Sequence, residues 1–171
     1  MILMKLFYLL INNEDWKLFI ILITIFIGLL LLLTTIPFGY YAPEWLLLIN
    51  IYWAIALPSN NKLFLAFISG FLVDIAFAQI LGVTSLLYVI FIYIILKLYN
   101  SLRYMTVSQQ MVVLLFFLLV KLHIFVWLNY ILSMESYYSS LLISALITSV
   151  IWPATYYILR FIRRKFQVSA D

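Results

Sequence analysis

LFIILITIFIGLLLLLTTI, residues 18–36, decides the fold class. It is an uncharged apolar run that follows Lys17 and is ended by Pro37. A run of 18 or more such residues is long enough for a transmembrane helix. No small-residue cleavage site follows it, and its apolar core is longer than that of a signal peptide. It therefore reads as a retained helix.

The rest of the chain has the same character. Of 171 residues, 68% are apolar and only 9% are charged, against about 25% in an ordinary soluble domain. Mean hydropathy is +1.20. A soluble globule of this size lacks the polar residues to cover such a chain. These figures exclude a soluble enzyme, a disordered chain and a nucleic-acid-binding domain. Cysteine is absent, so no disulfide framework or thiolate site exists, and the single histidine, His123, excludes a multi-histidine metal site.

Five further apolar runs give a single six-helix transmembrane domain over residues 1–171, all-α in class. The spans are read at about 18–36, 41–57, 63–80, 83–98, 110–132 and 139–159. The second is short if it begins at Trp45. Either it starts near Tyr40, with Pro43 in its first turn, or it is tucked among its neighbours. Met1 to Ile11 is too short to span and is expected to lie in the membrane interface.

Charge placement sets the orientation. Lys5, Lys17, Lys62, Lys97, Arg103, Arg160, Arg163, Arg164 and Lys165 all fall on one face of a six-span arrangement, and the opposite face carries Glu44 and Glu135. Lys and Arg mark the cytoplasmic side, so both termini are expected in the cytoplasm. Tyr40, Tyr41, Trp45, Tyr130, Tyr137 and Tyr138 fall at the outer boundaries, and Trp16, Tyr99, Tyr104, Tyr156 and Tyr157 at the inner ones, as amphipathic rings prefer.

Two charges remain inside the bilayer. Asp74 sits in a stripe of small residues, Ala66, Gly70, Ala78 and Gly82, spaced by four. Such a stripe allows close helix approach, so Asp74 is expected to face a neighbouring helix. Lys121 lies at a similar depth in a helix of the same direction, and an Asp74–Lys121 ion pair is expected. A proton relay needs further carboxylates, which the spans lack. His123, Asn50, Gln79 and Asn129 read as hydrogen-bonded packing residues. Ser140, Ser144 and Thr148 read as a close-packing stripe, and Pro153 as a kink near Ser149. The basic run after span six is expected to meet anionic headgroups, with an acidic partner as the alternative. No catalytic constellation or nucleotide loop is present.

Three stretches together resemble the bacterial rod shape-determining MreD family. They are APEWLLLINIYWAIALP at 42–58, GFLVDIAFAQILG at 70–82 and SVIWPATYYILRFIRRKF at 149–166. Arg103, Gln109 and Gln110 fit as well. The chain departs from the family pattern at Ala42 and Glu44, at Ala78, where glycine is common, and at Ser108, where tryptophan is usual. Lys121 has no counterpart in the family pattern. The resemblance implies an inner-membrane, multi-pass protein without enzymatic activity or cofactor. Its implied partners are the single-span protein MreC, the actin-like MreB, the glycosyltransferase RodA and a penicillin-binding transpeptidase. Its implied role is in lateral peptidoglycan synthesis and rod shape. It also implies a fold similar to the substrate-binding subunits of energy-coupling-factor vitamin transporters.

Segments 42–58 and 70–82 are expected to be the surfaces tied to this role. Trp45, Tyr52, Trp53, Pro58, Gly70, Asp74, Gly82, Arg103, Gln109, Gln110, Trp152, Pro153 and Arg160 are expected to bind partners or hold the fold. Membrane lipids are expected contacts, and a homodimer is left open. The competing reading is a vitamin-binding transporter subunit with a polar pocket near Asn50, Asp74, Gln79 and Asn129. An intramembrane enzyme is the third reading and lacks residues to do the work.

Overall fold

The computed structural model describes residues 13–35, 41–58, 61–132 and 138–168. Six helices follow one another among these residues: α1 (Asn13–Thr35), α2 (Trp45–Ala56), α3 (Asn61–Ala76), α4 (Val83–Tyr104), α5 (Val107–Ile131) and α6 (Tyr138–Lys165). Four of them, α1, α4, α5 and α6, are long and apolar enough to cross a membrane. The interfacial helix expected at Met1 to Ile11 lies outside the described residues, as do Pro37, Tyr40, Glu135 and Tyr137.

Helix ends differ from the apolar runs in both directions. The backbone ladder continues through polar residues until something caps it. Helix α5 begins at Val107 because Thr106 and Gln109 form a reciprocal capping box, each side chain accepting from the other's backbone N–H. Helix α6 runs through Pro153 to Lys165, six residues beyond the expected end. Helix α3 stops at Ala76, short of the expected Ile80. There Gln79 N–H donates to the Asp74 carbonyl at 2.9 Å and Ala78 N–H to that of Ile75 at 3.2 Å. This is a Schellman closure, and it places Ala78 at φ +50°. The small-residue stripe is thereby cut: Ala66, Gly70 and Asp74 share a buried helix face, while Ala78 and Gly82 lie beyond the helix.

The shortest helix is the most enclosed. Eleven of the 12 residues of α2 are buried, and it packs against α1, α3, α4 and α6. The tucked arrangement is therefore the one adopted, with the helix starting at Trp45 rather than Tyr40. Burial on all sides suits a helix that is apolar around its whole circumference. Two of its side chains hydrogen-bond to neighbouring helices. Asn50 Nδ2 donates to Ser69 Oγ of α3 at 2.7 Å, and Trp53 Nε1 donates to Thr24 Oγ1 of α1 at 2.8 Å.

Helices α3 and α4 approach most closely at Gly70. A β-carbon there would sit 2.5 Å from Ser85 Cα and 2.8 Å from Ser85 N, backbone atoms that cannot yield. Gly70→Ala should lower stability in detergent unfolding by about 2 kcal/mol, in the range for overpacking. Gly28→Ala should cost less, because the nearest atom is the flexible Ile49 Cδ1. Ala78→Gly should raise stability by about 1 kcal/mol, since it relieves a left-handed backbone that penalises a side chain. Unfolding midpoints of the three variants check all of this.

Candidate functional site

Three helices and a loop converge on Glu44, just ahead of α2. The loop is strapped to α6: Ser144 Oγ donates to the Ala42 carbonyl at 2.6 Å, and Glu44 N–H donates to Thr148 Oγ1 at 3.1 Å. The Glu44 carboxylate accepts from the Tyr88 hydroxyl of α4 at 3.3 Å and forms an ion pair with Lys121 of α5. The lysine ammonium also lies 5.3 Å from the centre of the Tyr88 ring, within cation–π range. Ser144 and Thr148 thus do more than permit close packing, because they hold the loop that carries the acid.

A small cavity of about 70 Å³ opens beside this pair, lined in part by Trp45, Gln79, Thr84 and Phe125. It is about half the size of a cavity of about 150 Å³ that holds benzene. That is too little for a vitamin-sized ligand, and the transporter-subunit reading gains no support. Among the described residues no cluster of three metal-ligating side chains occurs.

The expected Asp74–Lys121 pair is corrected, because each charge has a different partner. Asp74 is fully buried and turns toward the first turn of α4. Its carboxylate accepts from Gly82 N–H at 2.9 Å and Thr84 N–H at 3.1 Å, with longer contacts to Ser85. The first N–H groups of a helix have no partner within it and favour negative charge. Gly82, at φ +99°, has no side chain to cap them. Asp74 does so from the preceding helix, which is why similar depth did not make it a partner for Lys121.

Near the opposite end, Gln110 is buried and joins three helices. Its amide donates to the Leu102 carbonyl of α4 at 2.9 Å and accepts from Trp152 Nε1 of α6 at 3.2 Å. Tyr52 meets Tyr156 edge-on at 5.7 Å, and Arg160 lies over the Tyr156 ring at 6.0 Å. Arg103 and Gln109 are exposed, and Pro58 is half-buried just past α2. His123 is exposed and links α5 to the start of α6, 2.7 Å from the Leu119 carbonyl of its own helix and 3.1 Å from the Tyr138 hydroxyl. The expectation that segment 42–58 offers a docking surface is also corrected. Residues 46–57 are buried within their own chain and present no outward surface.

Sequence reasoning missed Glu44 as an internal acid and read it as an outer-loop charge. A signal was available, since a lone lysine deep in a span needs an acid and the chain has only six. Ser69 and Thr24 were also missed, and single hydroxyls in apolar runs carry no signal that singles them out.

Long apolar helices joined by buried polar contacts define a helical membrane protein. Its family follows from comparison with known proteins. A family model described as rod shape-determining protein MreD matches residues 4–162. The Haemophilus influenzae protein named rod shape-determining protein MreD is 30% identical over 153 residues, covering 88% of this chain and 94% of that one. The chain belongs to the MreD family of rod shape-determining proteins, which ties it to cell shape. No solved structure matches the chain, and the expected likeness to transporter subunits is not carried further.

Paired charges predict coupled variants. Glu44→Gln should cost about 3 kcal/mol, because it leaves the buried Lys121 charge without its partner, and Lys121→Met should cost less, because the Glu44 side chain is 23% exposed. The double variant should cost less than the two losses together. Asp74→Asn should cost about 2 kcal/mol through its capping bonds and should add to Lys121→Met within about 0.5 kcal/mol, as uncoupled sites do. Double-mutant cycles read from unfolding in micelles separate the two pairings.

Proposed function

We propose that this chain is an inner-membrane scaffold of the cell-elongation machinery, with six spans and both termini in the cytoplasm. It binds an MreC-like single-span protein and acts in a larger assembly with an actin-like MreB, RodA and a penicillin-binding transpeptidase. In that assembly it helps to organise lateral peptidoglycan synthesis. Family membership carries this reading.

The arrangement of side chains supports the physical form of such a role. Asn50, Asp74, Gln110 and Lys121 turn inward and join the chain's own helices. The outward faces are apolar, with Phe19, Leu22 and Phe26 exposed on α1 and Phe116 and Trp127 on α5. In lipid, association between helices rests on shape and van der Waals packing rather than on hydrophobic burial. Rigid faces held by internal polar contacts are suited to that kind of docking. The short α2 and α3 count as spans in this reading because their neighbours shield them.

The chain has no cysteine, so single cysteines can be placed without background. Leu22→Cys, Phe26→Cys, Phe116→Cys and Val150→Cys should divide into a face that cross-links to the single-span partner in cells and faces that do not. The partner should co-purify with the chain in mild detergent. No cross-link from any face, together with no co-purification, would overturn the scaffold reading.

A further inference from the structure

One group at the Arg160 end of the bundle is left without a partner. Tyr52 is 2% exposed, and its buried hydroxyl makes no hydrogen bond. Its ring is fixed by edge-on contacts with Trp53 at 5.4 Å and Tyr156 at 5.7 Å. Arg160 lies over the same Tyr156 ring at 6.0 Å, so Tyr156 links Tyr52 to the arginine side of α6. Tyr156, Arg160 and Arg163 recur at helical spacing along one side of α6.

The arginines are placed rather than frayed. Val168 N–H donates to the Arg163 carbonyl at 3.0 Å and Gln167 N–H to that of Arg164 at 3.3 Å, closing the helix end with Gln167 at φ +52°. Val168 is buried, and Phe166 packs edge-on against Trp16 at 6.1 Å. Arg160 and Arg163 are half-buried, whereas Arg164 and Lys165 are exposed. Glu44 and Asp74 are both engaged elsewhere, so neither neutralises the arginines.

We propose that Tyr52, Arg160 and Arg163 form a binding site for the phosphate of an anionic phospholipid headgroup. Two guanidinium groups suit phosphate oxygens through paired N–H donors, and the Tyr52 hydroxyl supplies a further donor from beneath. The surroundings favour a lipid over a free anion: Tyr157, Ile158 and Phe161, around the other sides of the same turns of α6, are exposed and give this stretch of helix an apolar surface for acyl chains.

The test is retention of phosphatidylglycerol by the full chain, purified in neutral detergent and measured by native mass spectrometry. Phosphatidylcholine and inorganic phosphate serve as comparison and competitor. Phosphatidylglycerol should be retained at least tenfold over phosphatidylcholine. Arg160→Gln with Arg163→Gln should reduce retention about tenfold and the near-isosteric Tyr52→Phe several-fold. Arg164→Gln with Lys165→Gln should change it less than twofold. Unfolding midpoints verify that each variant is folded, and if the Arg160/Arg163 variant does not fold, the Tyr52→Phe arm decides. Equal losses from the two basic pairs would overturn the site in favour of diffuse charge attraction, as would no effect of Tyr52→Phe. Displacement of the lipid by millimolar phosphate would overturn the lipid assignment.

Discussion

Helix α2 is about 18 Å long, too short for a hydrocarbon core of about 30 Å. In lipid, its exposed ends would leave backbone groups with nothing to bond, at several kcal/mol each. The remaining helices are arranged so that this never arises. Helices α1, α3, α4 and α6 enclose α2, and its first turn closes on the loop carbonyls, with Trp45 N–H donating to Pro43 and Leu48 N–H to Glu44. The loop itself is fixed to α6. A helix too short to stand in a membrane alone becomes the axis around which α1, α3, α4 and α6 pack.

The polar residues make sense in relation to that axis. Asn50 and Trp53 bind α2 to α3 and α1, Glu44 binds its approach to α4, α5 and α6, and Asp74 binds α3 to α4. Each uses a side chain on one helix to satisfy a group on another. In an apolar solvent such contacts set which helices neighbour which, and at what register. They also leave the outer faces free of groups that would resist contact with lipid or with another apolar helix.

Much of the fold could be read from residue order. Uninterrupted apolar runs marked the helices, and Gly70 and Ala66 marked a close approach. Helix ends were less legible, because they depend on capping. Thr106 and Gln109 start α5 ahead of the apolar run, and the closure at Ala78 stops α3 within one. The site was legible in its parts but not in its pairing. Asp74 and Lys121 stood out as intramembrane charges, yet depth along an axis does not say which way a side chain turns. Asp74 turned to four nearby backbone and hydroxyl donors only 8 to 11 residues on. Lys121 found an acid 77 residues earlier in the chain, a separation that no local pattern records.

That separation has a consequence for the order of events as the chain is made. Glu44 emerges long before Lys121, and the pair also requires α4 to bring Tyr88 alongside. Until α5 arrives, the acid waits with its loop near the membrane boundary. When α5 inserts, it carries an unpaired lysine, at about 2.5–3.5 kcal/mol on insertion scales. Ser144 and Thr148 come later still, with α6. The ion pair can close once α5 is in place, and its straps only once α6 follows. Closure of the straps completes the site, and a chain halted before α5 leaves Glu44 without its lysine.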